Sequence, residues 1–250
     1  MAKDGMNVNK DENIRSFLMI GQSNMAGRGE FRDVEPIENP DCFMLRMGRW
    51  QQMYEPINPD RDIFTIKYHS GISLAASFAD ELQKHTGERI GLIPCADGGT
   101  SIDQWMPGEV LFDHAVMMTR LALRSSTFGG IIWHQGEADC YEGRIGAYKD
   151  KFITMITALR RELGAEELPV IIGELSEDIE RLERQNIIKL NDVFYEIASE
   201  LPNSAVVSSK GLELKPDRLH FNAVSLRELG RRYFVGYCKV VNKNDTENNS

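Results

Sequence analysis

The chain has 250 residues, 29 basic against 38 acidic for a formal net charge of −9, and it is 42% hydrophobic and 27% charged. That balance excludes a disordered chain and argues against a nucleic-acid reader, which would carry a basic footprint. At this length roughly three quarters of the unfolded surface can be buried, so neither a disulfide nor a metal staple is needed. The start of the sequence is polar, and no apolar run approaches the eighteen or so residues of a membrane span. Cys42, Cys95, Cys140 and Cys238 lie far apart without a CxxC pair, which predicts buried thiols, no zinc and a cytoplasmic setting.

In chain order, short apolar runs alternate with amphipathic stretches, the pattern of a βαβ architecture. Strands are predicted at Phe17–Ile20, Cys42–Met47, Ile90–Cys95, Gly130–His134, Pro169–Gly173 and Ala205–Ser208, several of them too uniformly apolar for a sheet with a wet face. Between them, helical spacing runs through Leu74, Ala75, Phe78 and Leu82 to a stop at Gly87, and then through Leu111, His114, Ala115, Met118, Leu121 and Ala122. Further helices are predicted from Ile145 to Leu163 before Gly164, from Ile187 to Leu201 before Pro202, and after Asn222, a plausible N-cap, toward Val241. The Pro- and charge-rich stretch 32–61 reads as excursion loops around one strand or hairpin. No linker interrupts the pattern, so one domain is expected over 14–241, with polar, flexible tails at 1–13 and 242–250.

In an open parallel sheet the loops leaving the carboxyl ends of the strands converge on one crevice, so the chemistry should follow the strands. After the first strand, Gly21-Gln22-Ser23-Asn24-Met25-Ala26-Gly27 places a serine where a helix can begin; Ser23 is either a cap or a nucleophile beside unpaired N–H groups. After the third, Ala96-Asp97-Gly98-Gly99-Thr100 offers glycines that let backbone N–H groups approach a ligand, as an oxyanion hole requires. Asp103 and Trp105, a few residues on, are candidates for an exposed substrate wall. After the fourth comes Trp133-His134-Gln135-Gly136-Glu137-Ala138-Asp139. Here the Gln135 amide can donate to an oxyanion, while Glu137 is expected to brace neighbouring loops. His134 and Asp139 lack a second cluster with ligand spacing, which argues against a metal. Finally, Asp217 and His220 stand three apart before the last helix, so in a helical turn they face the same way. The carboxylate can then orient the imidazole as a general base toward serine.

The segments GQSNMAGRG, GGTSIDQWMPG, WHQGEAD and DRLHFN resemble, in order and spacing, the SGNH (GDSL-like) hydrolase superfamily, and more narrowly its sialate O-acetylesterase and acetylxylan esterase branch, carbohydrate esterase family six. The resemblance implies a flavodoxin-like three-layer α/β/α sandwich with a mainly parallel five-stranded sheet. It also implies Ser23 as nucleophile, the N–H groups of Ser23 and Gly99 with the Gln135 side chain as oxyanion donors, and Asp217 and His220 as the rest of the triad. Gly98 and Glu137 are supporting residues, and Glu137 or Glu174 is the alternative acid for His220. A G-x-S-x-G elbow is absent, because Met25 stands where the second glycine would fall, which excludes the commoner α/β-hydrolase.

The expected activity is therefore removal of O-acetyl groups from acetylated carbohydrate without a cofactor, and without nucleic-acid or membrane partners. The acidic net charge favours a neutral acetylxylan-type ester over a sialate. A silent carbohydrate-binding protein using Trp105 as a platform is the alternative of another class.

Overall fold

Strand β1 (Ile14–Gly21) lies at the centre of the fold because its apolar run has two buried faces. Phe17 and Met19 enter one core, and Leu18 and Ile20 enter the other. The computed structural model describes residues 14–60 and 69–248; the tail expected at 1–13, the last two residues and the final part of the 32–61 excursion lie outside the described residues. The remaining strands are β2 (Cys42–Arg46), β3 (Arg49–Gln52), β4 (Arg89–Pro94), β5 (Ser126–His134), β6 (Val170–Gly173) and β7 (Ser204–Val207). They form one sheet in the order β3-β2-β4-β1-β5-β6-β7, parallel throughout except for the β2–β3 hairpin.

The sheet therefore has seven strands where the resemblance implies five. All six runs predicted as strands are present. The seventh, β3, is Arg-Trp-Gln-Gln at the sheet edge, mostly exposed and without an apolar run to announce it. Helices α2 (Leu74–Thr86) and α6 (Ala223–Asn248) pack on one face, while α3 (Val110–Ala122), α4 (Glu142–Leu163) and α5 (Arg184–Glu200) pack on the other. The three layers are thus those expected.

Local signals set the helix ends. Gly87 and Gly164 take the left-handed conformation that closes α2 and α4. The Asn222 side-chain oxygen accepts the Ser225 N–H at 2.8 Å, which starts α6. That helix runs on to Asn248, so most of the stretch expected as a polar tail from 242 is helical. No two of the four cysteines are joined; Cys42, Cys95 and Cys140 are buried, and Cys238 is half-buried. Among the described residues no helix is long and apolar enough to cross a membrane.

Candidate active site

The site begins at the end of β1, which lies between β4 and β5, so the loops leaving all three central strands meet there. Gly21 has φ +130°, and a β-carbon on it would stand 2.2 Å from the His134 carbonyl oxygen. Only glycine lets the β1 exit press against the β5 exit in this way. The Gln22 N–H donates to that same carbonyl at 2.9 Å, and the Asp97 N–H donates to the Gly21 carbonyl at 2.9 Å. Three loops are stitched together before any side chain acts.

Ser23 opens a single helical turn, α1 (Ser23–Ala26), for which Gln22 is the capping position, and the Ser23 hydroxyl makes no capping bond. Its oxygen lies instead 2.9 Å from His220 Nε2, and His220 Nδ1 lies 2.8 Å from Asp217 Oδ2. The sequence places these groups about two hundred residues apart, and the fold makes them one hydrogen-bonded chain. Asp217 and His220 do not share a helical turn as the spacing suggests. They sit in a tight loop closed by the Lys215 N–H donating to the His220 carbonyl at 2.7 Å, with Arg218 at φ +55°. Within it, Asp217 Oδ1 accepts the N–H groups of Leu219 and His220, each at 3.0 Å, which leaves Oδ2 for the ring.

Burial pushes the Asp217 carboxyl up, but the His220 N–H, the His220 ring and the Leu219 N–H together hold it below the ordinary carboxylate range. Burial is also the largest influence on His220 and keeps its pKa below the usual histidine value. The Asp217 carboxylate opposes that shift, and the positive charges of Arg28 and Lys215 reinforce it. The imidazole is thus neutral near pH 7, the state a base requires. Neither alternative acid reaches the ring. Glu137 accepts from Asn24 at 2.6 Å, and Glu174 accepts from Tyr195, Ser208 and the Ser209 N–H.

Asn24, which sequence reasoning passed over, ties the loops together. Its Nδ2 donates to buried Glu137, and its Oδ1 accepts the Phe221 N–H at 3.1 Å, next to His220 in the chain. Glu137 is thus hydrogen-bonded to the loop that carries Ser23, and burial raises its pKa.

Around Ser23 and His220 opens a cleft of about 490 Å³, whose wall includes Arg28, Asp60, Asp97, Gly98, Gly99 and Arg181. Gly99 sits at φ +74°, and its N–H, like that of Ser23, has no acceptor among the described residues. A β-carbon at Gly98 would come within 2.8 Å of the Arg28 guanidinium and 3.7 Å of Ser23 Cβ, so the missing side chain keeps the approach to Ser23 open.

Three predicted site residues are placed differently. Gln135 is fully buried and stands outside the cleft wall. Its Nε2 donates to the Thr100 carbonyl at 2.9 Å and to Asp139 Oδ2 at 2.7 Å, while its Oε1 accepts the Tyr148 hydroxyl at 2.8 Å. Both amide hydrogens are committed, and none is left for an oxyanion. Trp105 is 1% exposed. Its indole nitrogen donates to Thr100 Oγ1 at 3.1 Å and its ring meets Trp133 edge-on at 5.5 Å, so it is core rather than substrate wall. Asp103 is exposed but turned to Lys151 at 2.5 Å, away from the cleft. With Trp105 buried, the platform of the silent sugar-binding reading is gone. His134 is buried too, and desolvation drives its pKa down to about 3. Among the described residues no group of acidic, histidine and cysteine side chains could hold a metal ion.

The sandwich and the Ser23–His220–Asp217 chain at the carboxyl ends of its central strands define an ester hydrolase of the SGNH class. Over residues 13–239 the chain matches the family described as carbohydrate esterase, sialic acid-specific acetylesterase, and it belongs to that family. It is 29% identical over 249 residues to the probable carbohydrate esterase At4g34215 of Arabidopsis thaliana, covering 89% of this chain and 91% of the relative. The X-ray structure of the Arabidopsis protein superposes with a TM-score of 0.80 at 26% identity, over 91% of this chain and 98% of that one. NanS shares the fold at a TM-score of 0.76 and 17% identity, over 93% and 99% of the two chains. A variant of Axe2, an acetyl xylan esterase from Geobacillus stearothermophilus, shares it at 0.55 and 16%, over 90% and 95%.

Proposed function

We propose that this carbohydrate acetylesterase works by covalent serine catalysis, a reading carried by the unbroken chain from Asp217 Oδ2 through His220 to Ser23 Oγ. His220 Nε2 takes the hydroxyl proton as Ser23 attacks the acetyl carbonyl. The N–H groups of Ser23 and Gly99 receive the oxyanion, and the imidazolium returns the proton to the departing sugar oxygen. Water, deprotonated by the same ring, then releases acetate from the acetyl-enzyme. Asp217 holds the ring with Nδ1–H toward the carboxylate, which leaves Nε2 as the acceptor.

The favoured substrate is a neutral acetylated sugar of the xylo-oligosaccharide type. Supporting this, the positive charge of Arg28 inside the cleft is already opposed by Asp60 and Asp97, so a substrate carboxylate there would face two acids. A sialate ester is the second reading, favoured by Arg181, which stands exposed on the cleft wall and ion-pairs with no described residue. The test is acetate release by the wild type and Ser23→Ala from acetylated xylo-oligosaccharide and from O-acetylated sialic acid. Faster release from the xylo-oligosaccharide, lost in Ser23→Ala with circular dichroism unchanged, is expected. Preference for the sialate would overturn the substrate, and full activity in Ser23→Ala would overturn the nucleophile.

A further inference from the structure

An oxyanion hole built on Ser23 and Gly99 has two backbone donors, and the side chain that the resemblance puts third, Gln135, is spent. Its orientation cannot simply be reversed. Tyr148 already accepts from the Trp133 indole at 3.2 Å and gives its own proton to Gln135, while the Thr100 carbonyl and Asp139 both require a donor from the Gln135 amide. Flipping that amide would turn donors toward a donor and an acceptor toward two acceptors.

We propose that the third oxyanion donor is the side-chain amide of Gln22. It is 3% exposed and forms part of the cleft wall beside Ser23, Gly98 and Gly99. Its Oε1 faces the Ala138 N–H at 3.4 Å, which identifies the other end of the amide as the donor. That Nε2 donates to no described residue, so a nearly buried amide on the cleft wall keeps its donor end uncommitted beside the nucleophile. Its root is rigid. The Gln22 N–H is held by the His134 carbonyl, and the Gln22 carbonyl accepts from both Met25 and Ala26 at 2.9 Å. A donor fixed before charge develops, in a site partly closed to water, is what stabilises a tetrahedral oxyanion over the ground-state carbonyl.

The assignment rests on the serine-esterase reading above, and the experiment separates the two. In the full chain, Gln22→Ala is expected to lower kcat on 4-nitrophenyl acetate by about 10²–10³. KM should stay within about twofold and the melting temperature should hold, because the substituted side chain makes one long hydrogen bond. Binding of methylboronic acid, whose tetrahedral anion on Ser23 needs the same donors, should weaken in parallel with kcat. Loss of packing alone would not link those two readouts. Gln135→Ala is expected to keep kcat within about tenfold while melting earlier. An unchanged kcat in Gln22→Ala overturns the proposal and leaves the esterase reading standing. So does a Gln135→Ala variant that melts normally yet loses 10²–10³ in kcat. A wild type that releases no acetate from any ester overturns both.

Discussion

The loop after β1 lines the cleft with Gln22, Ser23 and Arg28, whereas the equally polar loop after β5 contributes nothing to the cleft wall. In the β1 loop, Ser23 Oγ bonds to His220 and to no other described residue, and Ser23 and Gln22 both line the cleft with an N–H that no described residue accepts. In the β5 loop, His134, Gln135, Glu137 and Asp139 are all buried. Asp139 Oδ2 accepts from the Gln135 amide and from the Ile102 N–H at 2.7 Å and Glu137 Oε1 accepts from Asn24, while Asp139 Oδ1, Glu137 Oε2 and His134 Nε2 are buried without a hydrogen-bond partner among the described residues. Burial raises the pKa values of both carboxyls and lowers that of His134. The contrast teaches that a density of chemically capable residues marks the region of a site. Polar atoms that line the cleft are placed to meet a substrate, while those bonded across the fold hold them at fixed distances.

The comparison breaks most visibly at Ser23. Ser23→Ala should lower acetate release by about 10⁶, as loss of a triad serine does elsewhere. Asp217→Asn should cost about 10⁴ in kcat, because the amide no longer selects the tautomer that leaves Nε2 free. Kinetics on a chromogenic acetate, with circular dichroism to confirm folding, check both. If Asp217→Asn retained wild-type turnover, His220 would have to be oriented by something other than the carboxylate 2.8 Å from its ring.

Much of this contrast was legible in the sequence where chemistry and local pattern coincide. The uniformly apolar β1, β4, β5 and β6 signal a buried sheet, and a serine, a glycine pair and an Asp–His pair each follow at a strand end or precede a helix. What was not legible turns on the direction of side chains. Gln22 and Gln135 both lie at loops of one crevice, and which amide is free depends on whether Thr100, Asp139 and Tyr148 converge on it across the fold. Trp105 stands between polar neighbours and suggests exposure, yet a short 3₁₀ turn capped by Ser101 and Gln104 swings it inward onto Trp133. Edge strand β3 has no apolar alternation because an edge buries little.

On the spent side, Gln135→Ala should act on stability before chemistry. It removes one bond partner each from Tyr148, Asp139 and the Thr100 carbonyl, groups that water cannot readily reach. Each buried polar group left unpaired costs about 1–3 kcal/mol. In a domain of this size each kcal/mol lowers the melting temperature by about 2–4 °C, so a thermal melt reads the effect directly. An unchanged melting temperature would mean that the β5 loop is less committed than its hydrogen bonds show, and the contrast between the two loops would blur.

The smallest expected effect sharpens the front side. Because His220 titrates below the ordinary value near 6.5, kcat/KM should hold on acidification past that point and fall only at lower pH, as the ring gains a proton and can no longer accept from Ser23. Arg28 and Lys215 disfavour the imidazolium, while Asp217 favours it. Arg28→Gln should therefore move the acidic limb to higher pH, whereas Asp217→Asn should move it lower even as activity collapses. The signs are opposite because the two charges are opposite, and burial, the largest influence, is common to both variants. A pH profile of kcat/KM for the wild type and the two variants measures this. A limb that stays in place in Arg28→Gln would separate the guanidinium from the base electrostatically, and leave Arg28 as a group that shapes the cleft wall beside Gly98.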